Sequence, residues 1–146
     1  IWAGITGGGL VIIVAIIFTL FNKGCSVAGA AEVDNRILNA IERVESNCNS
    51  NAVGDKGMAV GSYQIWPVMV KDVNRIGKEK YTLQDRYNPA KSREMCRIFL
   101  NHYCKDKSYE YMARCWSGGP TGYKKQATYK YWLKIRNELQ EIKYED

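Results

Sequence analysis

The stretch 45-ESNCNSNAVGDKGMAVGSYQIWP-67 decides how this chain folds. One carboxylate, Glu45, stands ahead of five Asn or Ser residues, a Gly-punctuated ribbon and an apolar Tyr-Gln-Ile-Trp-Pro run. From Asn47 to Gly61 no helical periodicity survives and turn formers dominate. Ala52-Val53 and Met58-Ala59-Val60, flanking Gly54-Asp55-Lys56-Gly57, predict a small β-hairpin. Upstream the pattern changes. Val33, Ile37, Ala40, Ile41 and Val44 recur at helical spacing, so a helix is expected over about 32–46 with Glu45 at its C-terminal end.

Helices also follow the stretch. Pro67 suits the first turn of a helix running to about Arg75, and Asn88-Pro89 reads as an N-cap followed by Pro at the first helical position. The helix it opens carries Cys96, Phe99, Leu100 and Tyr103 on one face. A shorter helix is expected from Ser108 to Trp116, with Tyr111, Met112 and Cys115 inward, closed by Ser117-Gly118-Gly119-Pro120. The last helix is expected over about 126–143, with Thr128, Tyr131, Ile135, Leu139 and Ile142 along one stripe. The fold class is therefore mainly α, a helical domain with one small β element.

The N-terminal segment differs in kind. Residues 1–21 are uncharged and mostly apolar, enough helix to cross a hydrocarbon core of roughly 30 Å. A cleaved signal peptide would carry a basic start and a shorter apolar run. A buried core helix would be weakened in water by Gly7-Gly8-Gly9, whereas small residues are common where membrane helices approach. The expected organisation is a transmembrane anchor over residues 1–22, a small-residue linker over 23–31, and a folded domain over 32–146.

Five cysteines beside an anchor point to an oxidising compartment. Cys25 lies next to the anchor, which leaves Cys48, Cys96, Cys104 and Cys115 for the domain. Cys96 and Cys115 both sit on apolar helix faces and are expected to pair first, with Cys48–Cys104 second, although four cysteines allow three connectivities. No Cys-x-x-Cys pair exists and His102 is the single histidine, so neither a metal nor another cofactor is expected. The net charge of +6 includes Lys124, Lys125, Lys130, Lys134 and Arg136 near the C-terminus. That charge favours an anionic polymer, but no nucleic-acid recognition motif accompanies it, and nucleic acid is not an expected partner.

Glu45 is the candidate for chemistry. An acid catalyst at neutral pH needs a raised pKa, and burial of the carboxyl raises it. Glu45 follows Val44 at the edge of an apolar face, where aromatic segments from elsewhere can cover it. The plain alternative is an exposed glutamate at a helix end, the commoner case.

Four motifs in order decide between these. Glu45-Ser46, then Gly61-Ser62-Tyr63-Gln64-Ile65, then Trp116-Ser117-Gly118-Gly119-Pro120, then Thr128 with Tyr131, resemble the soluble lytic transglycosylases, a family similar in fold to the goose-type lysozymes. The resemblance covers nearly all of residues 34–140. It implies an α+β, lysozyme-like fold whose hairpin lines a saccharide cleft. It makes Glu45 the catalytic acid, and it implies substrate-binding roles for Ser46, Gly61, Tyr63, Gln64, Trp116, Ser117 and Tyr131. Within that set Tyr131 corresponds to a tyrosine that hydrogen-bonds the acid, while Ser46 fixes the end of the first helix. Trp116 and Ser117 stand where the family usually has Tyr and Asn, and Ala127 replaces a frequent acidic residue.

The implied reaction is cleavage of the β-1,4 bond between N-acetylmuramic acid and N-acetylglucosamine with closure of a 1,6-anhydro ring. One carboxylate suffices there, in contrast to most glycosidases. Two rivals remain. Asp55 could act as a second acid that positions water, as in a goose-type lysozyme, although Trp66 stands where those enzymes often carry a further aspartate. A non-catalytic peptidoglycan-binding scaffold would not need Glu45-Ser46 intact. The expected setting is a virion membrane or a bacterial inner membrane, with the domain reaching the periplasm and cell wall. Expected partners are peptidoglycan glycan strands, a lipid bilayer through residues 1–22, and other membrane or virion proteins. A secretion or conjugation accessory enzyme is the alternative setting.

Overall fold

The computed structural model describes residues 32–142. The expected anchor, the linker and Cys25 lie outside the described residues. Among those described, no helix is long and apolar enough to cross a membrane.

The first helix, α1, spans Asn35–Ser46. It starts later than the apolar pattern suggested because the Asp34 side chain accepts the Arg36 N–H at 2.8 Å and takes the N-cap position. Ile37, Leu38, Ala40 and Ile41 are buried along one face. Asn47 ends the helix in the left-handed region at φ 52°, with its N–H on the Arg43 carbonyl.

The ribbon that follows forms the expected hairpin. Strand β1 (Val53–Gly54) pairs antiparallel with β2 (Ala59–Val60), with Val53 opposite Val60 and Gly54 opposite Ala59. Its turn holds three successive residues at positive φ: Asp55 (46°), Lys56 (55°) and Gly57 (90°). Val60 then bridges Ile65, so the chain folds back on itself once more. Gly61 makes this second reversal possible. Its φ is 81°, and a Cβ there would lie 1.8 Å from the Arg86 carbonyl oxygen.

Arg86 holds the underside of the hairpin. It is buried in a short 3-10 turn, Leu83–Tyr87, and donates to the carbonyls of Leu83, Met58 and Ile65 at 2.9–3.0 Å. Three backbone acceptors satisfy a guanidinium that would otherwise be costly to bury.

Four more helices complete the domain. They are α2 (Pro67–Ile76), α3 (Pro89–Cys104), α4 (Tyr109–Gly118) and α5 (Tyr129–Ile142). Pro67 and Pro89 open their helices as expected, and Asn88 and Ser108 cap α3 and α4. The last helix begins at Tyr129 because Gln126–Thr128 is a separate 3-10 turn. Helix α5 packs against α1 and α4, and α3 packs against α2 and α4. Tyr63, Ile65, Met95, Leu100 and Ile135 are fully buried among these helices. The architecture is mainly helical with one two-stranded sheet.

The expected disulfides are not formed. Cys48, Cys96, Cys104 and Cys115 are all free thiols. Cys48 sits exposed just beyond the end of α1, while Cys115 Sγ donates to the Pro120 carbonyl at 3.4 Å, and burial together with the neighbouring Cys115 raises the Cys104 thiol above its ordinary range. Cys96 is buried on α3, where desolvation pushes its thiol well above the ordinary range.

Candidate active site

Glu45 reaches the site because it is the penultimate residue of α1, where the helix stops and the ribbon begins. Ser46 makes that junction rigid. Its hydroxyl donates to the Ser62 carbonyl at 2.8 Å and accepts the Asn49 N–H at 3.0 Å. It pins the helix end to the second reversal of the hairpin, which is a structural role and not one in contact with ligand.

Two side chains from distant helices converge on one oxygen of Glu45. The Tyr131 hydroxyl on α5 donates to Oε1 at 2.8 Å, and the Trp116 indole N–H on α4 donates to the same atom at 3.1 Å. Among the described residues Oε2 receives no protein hydrogen bond.

Burial raises the Glu45 pKa above its ordinary value. The Tyr131 and Trp116 hydrogen bonds oppose this by stabilising the carboxylate; the charge of Asp55 adds to the rise and that of Lys134 subtracts from it. Desolvation is the strongest of these influences, so the group holds its proton further toward neutral pH than a free glutamate.

The Trp116 ring is itself held in place. Tyr63 meets it edge-on at 6.4 Å between centroids, and Phe99 does so at 5.6 Å, both with planes at 83°. Tyr63 is anchored in turn. Its hydroxyl donates to Glu42 Oε2 at 3.2 Å and accepts from Arg93 Nη1 at 3.0 Å. Glu42 and Arg93 carry opposite charges 3.6 Å apart. This support was not legible in the sequence. Glu42 and Glu45 share a helix face by spacing, but nothing in the string points from Glu42 to Tyr63 or Arg93.

A cleft of about 420 Å³ opens beside Glu45. Asp55, Gln64, Trp116, Ser117 and Tyr131 line it together with Glu45, so six residues expected at the site share one wall or another. Ala59, Trp66, Val68, Met69 and Gly119 complete the lining. Trp66 is 41% exposed and offers an aromatic face at the mouth. Gln64 is held at φ 49°, with its amide donating to the carbonyls of Gly61 (3.0 Å) and Ala52 (3.3 Å). Those bonds leave its side-chain oxygen as the acceptor. A Cβ at Gly54 would come within 2.5 Å of that oxygen, so a side chain there would displace the Gln64 amide.

Besides Ser46, expected at the substrate but found holding the helix end, two expectations need correcting. Tyr63 does not line the cleft: it is fully buried and acts from behind, against Trp116. Gly61 is also buried, and its missing side chain makes room for the Arg86 backbone, not for a ligand. Both follow from the tight reversal after β2, which turns residues 61–63 into the core and returns Gln64 to the surface. Among the described residues no cluster of His, Cys, Asp or Glu is arranged to hold a metal ion.

Comparison with known proteins gives a family and a fold. The family model described as Transglycosylase SLT domain matches residues 26–139. Among solved structures, the chain is similar to one in the complex of Aeromonas hydrophila PliI with Meretrix lusoria lysozyme. The identity is 27%, covering 72% of this chain and 89% of that one, with a TM-score of 0.61. The inhibitor-bound lysozyme from Meretrix lusoria gives the same figures. No curated protein matches the sequence.

Proposed function

The chain belongs to the Transglycosylase SLT domain family, and from that premise we propose that it is a peptidoglycan lytic transglycosylase. The observation that carries this reading is Glu45, half-buried at the floor of a cleft with both its protein hydrogen bonds on Oε1. A raised pKa favours the protonated form, and the proton sits on Oε2, the oxygen without a donor. From there it passes to the glycosidic oxygen between N-acetylmuramic acid and N-acetylglucosamine. The carboxylate so formed is stabilised by Tyr131 and Trp116. It then takes a proton from the muramyl 6-hydroxyl as that oxygen attacks the anomeric carbon and closes the 1,6-anhydro ring. One carboxylate serves both steps. Gln64 and Ser117 offer polar groups to the sugars, and Trp66 offers a stacking face.

A second reading is hydrolysis. Asp55 lines the same cleft, and its charge is felt at Glu45. It could hold a water on the far side of the sugar, and the two solved structures named above contain a Meretrix lusoria lysozyme. Transglycosylation is favoured because Trp66 lines the cleft where a further acid would be needed, and an indole can neither hold nor deprotonate water as a base. The segment 1–22 would keep the domain near a membrane, in a virion or a bacterial envelope, for local opening of the wall.

The test is the mass of the products released from purified sacculi. Transglycosylation gives anhydromuropeptides, each lighter by one water than a hydrolytic product. Glu45→Gln should abolish release, since loss of general acid–base catalysis costs about 10²–10⁴-fold. Asp55→Asn should leave the rate within roughly tenfold, below that range. Hydrated products together with an inactive Asp55→Asn variant would make hydrolysis the activity.

A further inference from the structure

Three polar side chains stand behind the wall of the cleft and take no part in the proton transfers. Tyr63 is fully buried, yet its hydroxyl is held between two charged groups, donating to Glu42 on α1 and accepting from Arg93 on α3. Glu42 and Arg93 are themselves largely withdrawn from water, with side chains 17% and 26% exposed. Arg93 is tied further, since its Nη2 donates to Oδ1 of Asn35 at 3.2 Å, at the start of α1. Packing alone does not call for this arrangement. A phenylalanine at 63 with aliphatic residues at 42 and 93 would fill the space without desolvating an ion pair, and such replacements are often neutral or stabilising.

What the polar groups supply is direction. Trp116 meets two rings edge-on, and only one of them is fastened at its far end. Phe99 packs on Trp116 and on Tyr103, 4.9 Å away, and has no polar atom of its own in the side chain. Tyr63 carries a hydroxyl fixed to both α1 and α3. Glu42 stands three residues before Glu45, so the anchor of Tyr63 and the acid that Trp116 serves ride on the same helix. The contacts therefore close into a ring: Glu42 to Tyr63, Tyr63 to Trp116, Trp116 to Glu45, and back along α1 to Glu42. Such a ring fixes the approach of the indole N–H to the carboxyl through oriented bonds, where apolar burial is non-directional.

We propose that Glu42 and Arg93 are positioning residues for the reaction: through the Tyr63 hydroxyl they hold the Trp116 indole N–H on Oε1 of Glu45. Their role rests on the reading of Glu45 as the working acid. None of the three lines the cleft. Their effect falls on the chemical step and not on binding, because a displaced indole alters the acid while Gln64 and Ser117 stay where they meet the sugars. The leverage is large, since a misplacement of about 1 Å at a catalytic centre can cost about 10²-fold in rate.

Two readouts test this, and one of them needs no activity. The first is kcat and KM on soluble glycan fragments. The second is the indole Nε1–H resonance of Trp116 in the free protein, assigned with Trp116→Phe. Tyr63→Phe keeps the ring and removes only the hydroxyl. It should lower kcat by at least about fivefold, the worth of one ordinary hydrogen bond, with KM within about twofold. It should also move the Trp116 resonance upfield as the bond to Oε1 lengthens. Glu42→Leu and Arg93→Met should do the same. Glu42→Gln, whose amide oxygen still accepts from Tyr63, should recover most of the kcat that Glu42→Leu loses. The triple variant Glu42→Leu, Arg93→Met, Tyr63→Phe should melt no lower than wild type and still show the lowered kcat, which separates positioning from fold stability. Wild-type kcat and an unmoved resonance in Tyr63→Phe would overturn the proposal and leave the transglycosylase reading intact. So would a loss of kcat with the resonance in place, or a loss confined to KM or to melting temperature. A wild-type protein that cleaves no peptidoglycan would instead overturn the transglycosylase reading and the catalytic half of the proposal with it; the resonance, which needs no substrate, then decides the positioning half alone.

Discussion

Replacing Trp116 with Phe tests the electrostatics of the site most directly. The change keeps an aromatic ring between Tyr63 and Phe99 but deletes the indole N–H that reaches Glu45 Oε1 at 3.1 Å. A hydrogen bond to a charged acceptor is worth about 1.5–3 kcal/mol, and one to a neutral acceptor about 0.5–1.5 kcal/mol. The lost bond therefore favours the carboxylate over the acid by about 1 kcal/mol. At 1.36 kcal/mol per pKa unit, the Glu45 pKa should rise by roughly 0.7 unit.

The sign follows from the role. Glu45 must be protonated to act, so activity falls on the alkaline side as it ionises, and a higher pKa moves that limb to higher pH. The assay is kcat/KM against pH on soluble glycan fragments, which reports ionisations of the free enzyme. Tyr131→Phe removes the shorter bond, 2.8 Å, to the same oxygen and should move the limb the same way. One effect opposes both. If water entered the space left by the pyrrole ring, the carboxylate would be re-solvated and its pKa would fall. An alkaline limb that stays put or moves down in both variants, with their folds intact, would refute the assignment of Trp116 and Tyr131 as donors to the working acid.

Glu45→Gln should also change stability with pH. The folded pKa of Glu45 lies above its ordinary value of 4.5, so wild type loses stability as pH rises from there through the folded pKa. The variant should melt higher than wild type at pH 8, and the difference should vanish below pH 4.5; a constant difference across that range would contradict the burial of the charge. Gly61→Ala should be strongly destabilising, by more than about 2 kcal/mol, because Cβ meets the Arg86 carbonyl in a left-handed backbone; chemical denaturation measures it. In a Cys25→Ser chain, native maleimide labelling followed by intact mass should modify Cys48 alone, since Cys96, Cys104 and Cys115 are buried.

The helices were readable because each carries a local signature. Asn88-Pro89, Ser108 and Pro67 open theirs by side-chain caps or a proline in the first turn, and these act within a few residues. Periodicity was less exact at the ends. The stripe through Thr128 continued into a 3-10 turn, and Val33 is buried although it precedes α1. The disulfides were misread for a related reason. Apolar helix spacing shows that a cysteine is inside, but not which partner it meets, and Cys115 meets Cys104 where α3 and α4 pack.

In the site, residues 45–64 could be read as one unit because the ribbon returns to the helix end within twenty residues. The partners of Glu45 lie 71 and 86 positions away, so no local pattern could bring them to it; the resemblance to a family brought Tyr131 to the acid but gave Trp116 only a place at the substrate. Tyr63 shows the limit of that route. It sits within a recognisable motif, yet a left-handed turn at Gly61 sends it into the core behind Trp116.

The departure at position 116 has a chemical consequence of its own. A tyrosine hydroxyl there could donate to a carboxylate or accept from a protonated acid, so it would tolerate the proton on either oxygen. An indole N–H can only donate. With Trp116 on Oε1, a proton on that oxygen would face the indole N–H at close range, donor against donor. Tyr131 can adapt by rotating its hydroxyl, but the indole is fixed by Tyr63 and Phe99 on either side. The acidic proton is thereby confined to Oε2, which receives no protein hydrogen bond among the described residues. The substitution thus keeps the stabilising donor and adds a constraint on where the proton resides before transfer. Trp116→Tyr restores the ambiguous hydroxyl and is the variant that isolates this constraint: its alkaline limb should lie close to that of wild type while kcat falls.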